Sequence, residues 1–144
     1  MRRYGETPRR GQVYHPRPGA YAVLLRGDRV LLTFQAEPDP EYQLPGGGID
    51  PGEQPIAALH REVYEETGWT IGPPRHLGAW RRFTYMPEYD RWAEKICHVW
   101  LARPIRRLGP PTEPGHTALF LPAGLALEML THRAEADFLA NLLS

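Results

Sequence analysis

The stretch that decides the reading of this chain is Gly46–Trp69, GGGIDPGEQPIAALHREVYEETGW. Ile56, Leu59, His60, Val63 and Thr67 recur at helical spacing and predict one face of a helix over Pro55–Thr67. Gly68 stops that helix, and Asp50 with Glu53 resembles a reciprocal cap just upstream of it. At ~100° per residue Glu62, Glu65 and Glu66 fall within one ~100° sector, so their carboxylates are expected to converge. Glu66 borders the apolar stripe, which predicts that one edge of the acidic cluster is partly desolvated.

Like charges at these spacings destabilise a bare helix by a few tenths of a kcal/mol per pair, and more when partly buried. Arg61 can neutralise one charge. A hard divalent cation suits the rest, and Mg²⁺ or Mn²⁺ fits because both also bind phosphate oxygens. An E-x-x-E-E run alone is an ordinary solvated helix face. Context separates this one: a glycine tract precedes it, and Gly46–Gly48 lets backbone groups approach a ligand with no side chain in the way. A carbonyl in that tract is a candidate metal ligand.

Working outward, Ala20–Arg26 and Arg29–Gln35 read as two strands joined at Gly27-Asp28. Residues 36–41 read as loop and Tyr42–Leu44 as a brief extended piece. Beyond the helix, Trp69 to about Tyr85 is predicted extended with a break at 72–74. Lys95–Ala102 is predicted to be a buried strand, 103–117 loop and Leu119–Leu121 a short strand. Gly124–Leu130 and Arg133–Leu143 are predicted helices. One mixed sheet with helices on its faces, an α/β class, accounts for this order. Residues 1–18 are basic and contain proline; they are expected to form a flexible arm without regular structure, leaving 19–144 as the domain.

The chain has 144 residues, enough for one core, with 42% apolar and 24% charged residues. Its 14 glycines and 16 prolines imply many turns without low complexity. Net charge is zero, which gives no strong nucleic-acid signal. Within the basic arm, a phosphate-gripping or subunit-exchanged segment is the sharper reading and a solvated arm the plainer one. A single cysteine, Cys97, fits a reducing compartment, and no apolar run suggests a membrane span or leader. The expectation is a cytoplasmic protein that does not engage membranes.

The run Gly47–Trp69 resembles the Nudix box, G-x5-E-x7-R-E-U-x-E-E-x-G-U, where U is a bulky apolar residue. Gly47, Glu53, Arg61-Glu62-Val63, Glu65-Glu66 and Gly68 occupy the specified positions, and Trp69 stands where the family more often has Ile, Leu or Val. The resemblance extends over roughly residues 19–143, but only 45–69 are specific. It implies a Nudix-type (MutT-like) α/β/α sandwich with the acidic box helix on one side of a central mixed sheet. It also implies a hydrolase of phosphate anhydrides, with Mg²⁺ or Mn²⁺ held by Glu62, Glu65 and Glu66, helped by Glu53 and the Gly46 carbonyl. Arg61 is implied to orient a glutamate. A carboxylate removes a proton from the attacking water; Glu66 and Glu113, in the loop PPTEPGH, are the candidates.

Substrate residues lie outside the box in this family. The segment 80–92, WRRFTYMPEYDRW, offers Trp80, Arg82 and Tyr85 for stacking on a base and pairing with phosphate; alternate residues of a strand would equally be core. Tyr85 lies near where some dinucleoside-polyphosphate members carry a tyrosine, and Pro87 near where some ADP-ribose members carry a proline. Cys97 and His98 face opposite sides of one strand and form no joint site. His116 and His132 show no metal-ligand spacing. The leading expectation is a pyrophosphohydrolase of a small nucleoside diphosphate derivative: a nucleoside triphosphate, an oxidised nucleotide, a dinucleoside polyphosphate or an ADP-sugar. Alternatives are an RNA 5′-end pyrophosphohydrolase and a non-catalytic nucleotide sensor. A homodimer is implied by the resemblance alone.

Overall fold

The computed structural model describes residues 1–144. Its strands are β1 (Arg2–Arg3), β2 (His15–Arg26), β3 (Arg29–Gln35), β4 (Glu41–Gln43), β5 (Gly46–Gly48), β6 (Trp69–Ile71), β7 (Arg75–Met86), β8 (Arg91–Ala102), β9 (Pro104–Arg107) and β10 (His116–Pro122). Its helices are α1 (Pro55–Thr67), α2 (Ala123–Met129) and α3 (Arg133–Leu143), and a single 3-10 turn, Pro87–Tyr89, closes the β7–β8 hairpin.

The main sheet runs β1-β7-β8-β2-β3-β10, with β4 added on β3 and β5 on β2; β6 and β9 form a separate pair. It is mixed: β2 runs parallel to β8 from His15↔Ala93 to Leu24↔Ala102, and β1 parallel to β7, whereas the remaining pairs are antiparallel. Strand alternation divides the apolar residues between two cores. Val23, Leu32, Trp80 and Val99 face α2 and α3, while Ala22, Leu24, Leu31 and Trp100 face α1. The result is the expected α/β/α sandwich, with the acidic helix alone on its side of the sheet.

The two-residue turn at Gly27-Asp28 joins β2 and β3 as the sequence predicts, with Arg26 opposite Arg29. Three expectations need correction. Residues 1–18 carry regular structure: Arg2–Arg3 pair with Trp80 and Arg81, the Tyr4 hydroxyl donates to Asp137 at 2.7 Å, and β2 already begins at His15. The stretch 103–117 contains β9, because the Pro104–Arg107 backbone pairs with β6 despite its charged, loop-like sequence. On α1, Ile56 and His60 are exposed, and the buried residues are Ala58, Leu59, Val63, Glu66 and Thr67. The buried face is thus turned by about 50° toward the acidic sector. Small Ala58 packs in one core with Ala20 and Ala22 of β2, and this rotation carries Glu66 into the interior.

Helix α1 ends where the sequence says it should. Gly68 has φ 77° and its N–H donates to the Tyr64 carbonyl at 2.8 Å. A Cβ there would lie 1.9 Å from the Gly109 carbonyl oxygen, so side-chain strain and backbone collision coincide. Gly52, at φ 81° with open space around it, isolates the strain alone. Gly52→Ala should cost about 1–2 kcal/mol; Gly68→Ala should cost clearly more, measured from urea unfolding midpoints. Equal costs would show that the loop at Gly109 yields freely.

Candidate active site

The site grows from the α1 sequence. Arg61 projects from the middle of the helix into a ring of acids. Its Nε donates to Glu53 Oε2 at 2.8 Å, and Nη2 donates to Glu53 Oε1 at 2.9 Å and to the Gly48 carbonyl at 3.1 Å. Its Nη1 donates to Glu62 Oε1 at 2.9 Å and reaches Glu65 at 3.4 and 3.5 Å. Asp50 lies 3.5 Å from Nη2. One guanidinium therefore serves four carboxylates, where the sequence suggested that it would neutralise one.

Of the three acids expected to converge, Glu62 and Glu65 meet at Arg61 Nη1 while Glu66 turns to the Gly46 N–H. No three acidic or histidine side chains are gathered closely enough to ligate an ion by themselves, because the Arg61 guanidinium takes Glu62 and Glu65 while Glu66 turns inward. Glu53, expected among the metal ligands, has both oxygens committed: Oε2 to Arg61, and Oε1 to Arg61 and the Asp50 N–H at 3.0 Å. The reciprocal Asp50–Glu53 contact exists, with Glu53 N–H donating back to the Asp50 carbonyl at 2.9 Å, but it closes the turn before the helix; Gln54 is the N-cap and makes no side-chain cap.

Glu66 is only 8% exposed. Its Oε1 accepts the Gly46 N–H at 3.0 Å. Burial, with Glu62, Glu113 and Glu135 nearby, pushes its carboxyl up to about 8. Glu62 is also raised by burial, against the pull of Arg61. It lies on Gly47, where a Cβ would sit 2.3 Å from Glu62 Oε2; only glycine leaves that carboxylate room. Glu113 is exposed. Its backbone N–H and that of Thr112 both donate to the Glu65 carbonyl at 2.8 Å, which docks the loop on the end of α1. Its charge raises both Glu62 and Glu66, although its carboxylate bonds to neither. His116 Nδ1 lies 3.9 Å from Glu66 Oε2 with no hydrogen-bond partner, a neighbour that its sequence spacing gave no reason to expect.

Two connected clefts open beside these acids. The first, about 270 Å³, is lined by Gly48, Asp50 and Glu62 together with Arg17, Lys95 and Tyr89. The second, about 330 Å³, continues beneath α3 past Trp80, Arg82 and Glu135. Tyr21, Glu88, Lys95 and Cys97 border both. Trp80 and Arg82 both line the second cleft, and Trp80 is also part of the core. Tyr85 lines neither: it is exposed, with its hydroxyl donated to Asp90 and its ring on Trp92. Arg17, stacked 4.5 Å over the Tyr89 ring, occupies the mouth. Lys95 was missed in the sequence. It makes no ion pair, and burial lowers its pKa. A lysine two positions before Cys97 on the same face of an apolar strand was the available signal.

The donor set fits a divalent cation. Hard carboxylate oxygens and the glycine-tract backbone are the ligands Mg²⁺ and Mn²⁺ prefer, and Mg²⁺ needs only one or two carboxylates when a phosphate completes its shell. Glu66 Oε2 accepts no hydrogen bond from Arg61, and Glu65 is held only loosely by it at 3.4 and 3.5 Å.

Comparison with known proteins identifies the family. The NUDIX domain family model matches residues 15–142, and the chain belongs to the Nudix domain family. A Bacillus subtilis (strain 168) protein that carries an 8-oxo-dGTP diphosphatase name is 33% identical over 70 residues, covering 49% of this chain and 47% of that protein. An RNA pyrophosphohydrolase from Aliivibrio fischeri (strain MJ11) is 42% identical over 85 residues, covering 56% and 50%. The chain therefore matches about half the length of these curated relatives. Among solved structures, a NUDIX hydrolase from Nitrosomonas europaea superposes with TM-score 0.73 at 18% identity, covering 89% of this chain and 88% of that one. A MutT protein from Bacillus halodurans gives 0.72 at 20% identity, covering 88% and 82%; these two show the fold.

The Arg61–Glu53 pair has a pH signature. Hydrogen bonding to Arg61 lowers Glu53 from 4.5 to about 2. The stability it supplies is complete above pH 4.5 and is lost as pH falls through about 2. In metal-free buffer, Arg61→Ala should start with a lower denaturant midpoint at pH 5 and then decline less steeply than wild type down to pH 2. Parallel curves would mean that Glu53 owes nothing to Arg61.

Proposed function

We propose that the chain is a Mg²⁺- or Mn²⁺-dependent pyrophosphohydrolase that cleaves the diphosphate linkage of a small nucleoside diphosphate derivative. One observation carries this reading: a single cleft is lined both by Asp50 and Glu62 of the glycine-tract loop and helix and by the cations Arg17 and Lys95. A phosphate chain occupies such a cleft only if cations stand beside its acids. Glu62, Glu65 and Glu66 are the residues to hold them, with the Gly46 carbonyl, while Arg61 and Glu53 lock the helix to the loop.

When bound, the divalent cation supplies charge neutralisation and lowers the pKa of a water. The chain's own contributions are separate. Lys95 and Arg17 orient the phosphates. Glu66 is the proposed base: its Oε1 is fixed on the Gly46 N–H of the glycine tract while Oε2 stays out of reach of Arg61. Glu113 acts on it through charge. The single, buried cysteine accords with a reducing compartment, and no helix is long and apolar enough to cross a membrane.

A second reading, removal of diphosphate from an RNA 5′ end, draws on the RNA pyrophosphohydrolase relatives and on the exposed Arg17–Tyr89 stack at the cleft mouth, where a following nucleotide can lie.

The test is hydrolysis of a panel containing nucleoside triphosphates, oxidised nucleotides, dinucleoside polyphosphates, ADP-ribose and 5′-triphosphate RNA, with Mg²⁺, Mn²⁺ or EDTA. Activity should require the metal. Glu66→Gln should lower turnover by on the order of 10²-fold or more. Its melting temperature should be unchanged, because the amide oxygen still accepts the Gly46 N–H. Near-normal turnover at unchanged melting temperature removes Glu66 from the chemistry. Nucleotide binding without hydrolysis of any panel member makes the chain a sensor.

A further inference from the structure

A concavity of about 680 Å³, larger than either cleft, takes no part in the phosphate chemistry. Leu25, Leu101 and Ala102 line it from the ends of β2 and β8. Leu25 and Leu101 each come four residues after a residue of the clefts, Tyr21 and Cys97, so the cavity lies about 13 Å farther along the same parallel ladder. Pro73 and Arg75 line it from the β6–β7 connection and the start of β7, and Arg103 and Ile105 from the passage of β8 into β9. These segments are fixed by backbone contacts: the Gly72 N–H donates to the Arg103 carbonyl at 2.9 Å, and Arg26 Nη2 to the Pro104 carbonyl at 3.2 Å. The arginine ion pairs of the chain are made by Arg2, Arg61, Arg81 and Arg133, and its arginine–ring stacks by Arg2, Arg9, Arg17, Arg26 and Arg81. Arg75 and Arg103 belong to neither set, and they bring two uncommitted guanidiniums to one cavity. Residues 69–76 and 101–109 together carry four arginines and no acid, in a chain of zero net charge. Beside them Ile105 is 56% exposed.

We propose that this cavity is a second ligand site, separate from the hydrolytic clefts, for a small amphiphilic anion: a phosphate or carboxylate head on an aliphatic body. The planar guanidinium fork matches the oxygens of either head and holds its charge at every accessible pH. An anion there also relieves the crowding of like charges in the two arginine-bearing segments. The rest of the lining is aliphatic, and it covers a hydrocarbon body with no polar group to be desolvated. Apart from the two arginines, nothing in it can hydrogen-bond to a nucleobase or stack on one. The volume lies within the range of about 300–1,000 Å³ that small-molecule sites occupy. The site stands whether or not the chain is a hydrolase.

The experiment is calorimetric titration of the full chain with octyl phosphate, octanoate, inorganic phosphate, octyl glucoside and AMP, each below its micellar concentration. Octyl phosphate should bind at one site at least about tenfold more tightly than inorganic phosphate, which lacks the tail, or octyl glucoside, which lacks the charge, a difference of about 1.4 kcal/mol. Equal affinity for octanoate assigns the head to any forked oxyanion; an affinity at least about tenfold lower assigns it to phosphate alone. Arg75→Ala and Arg103→Ala should each weaken octyl phosphate by about tenfold. Arg29→Ala, at an exposed arginine outside the cavity, and Lys95→Met, in the first cleft, should leave it unchanged. Ile105→Asn, on the surface and outside both cores, should weaken octyl phosphate and spare inorganic phosphate. Inorganic phosphate or octyl glucoside binding as tightly as octyl phosphate overturns the proposal. So does an affinity that follows Lys95 rather than Arg75 and Arg103, or AMP binding more tightly than octyl phosphate through those two arginines.

Discussion

A single guanidinium holds the acidic half of this molecule together. Without Arg61, helix α1 would carry Glu62 and Glu65 on neighbouring turns, with Glu53 and Asp50 pressed on them from the preceding loop. With it, the loop and helix become one rigid piece, tied at the Gly48 carbonyl and at Glu53 by three hydrogen bonds of 2.8–3.1 Å. Charge-assisted, two-pronged contacts of this kind fix geometry as well as lower energy. They also partition the acids. Glu53 stays ionised far into acid, whereas Glu66, on the face that Arg61 does not reach, holds its proton to about pH 8. The loop and the helix it is tied to thus carry carboxylates whose proton affinities are shifted in opposite directions.

The second constraint is a clamp. Two buried glutamates, from helices on opposite faces of the sheet, accept N–H groups two residues apart: Glu135 takes Leu44 and Glu66 takes Gly46. The short segment that leads into the glycine tract is gripped from both layers. The two helices thus share one backbone landmark, three residues long, from opposite faces of the sheet.

How much of this was legible follows from the range of each interaction. The spacing from Gly47 to Gly68 is local, and the helix, its αL stop, the Gly27-Asp28 turn and the acid positions followed from it. The face of α1 did not, because Ile56 and His60 fit the periodicity as well as Ala58 does; the choice is made by the small residues of β2 that Ala58 meets. The arm and Pro104–Arg107 look disordered in isolation and are ordered by distant partners, β7 and β6. Tyr85 and Arg82 lie three positions apart on β7, which puts them on opposite faces of the strand, and only Arg82 borders a cleft. Lys95, Arg17 and Glu135 were invisible as a group because they come from β8, β2 and α3.

That same dependence has a kinetic side. The floor of both clefts is the parallel ladder of β2 on β8, which joins residues 15–24 to residues 93–102. Parallel pairs between opposite halves of a chain require the intervening loop to close before contact energy is gained, and such topologies fold more slowly than local ones. Helix α1 and the β2–β3 and β7–β8 hairpins need no such closure. The cleft that sets Glu62 together with Lys95 and Arg17 therefore exists only once this long-range ladder has closed, so its lining depends on the least local pairing in the molecule.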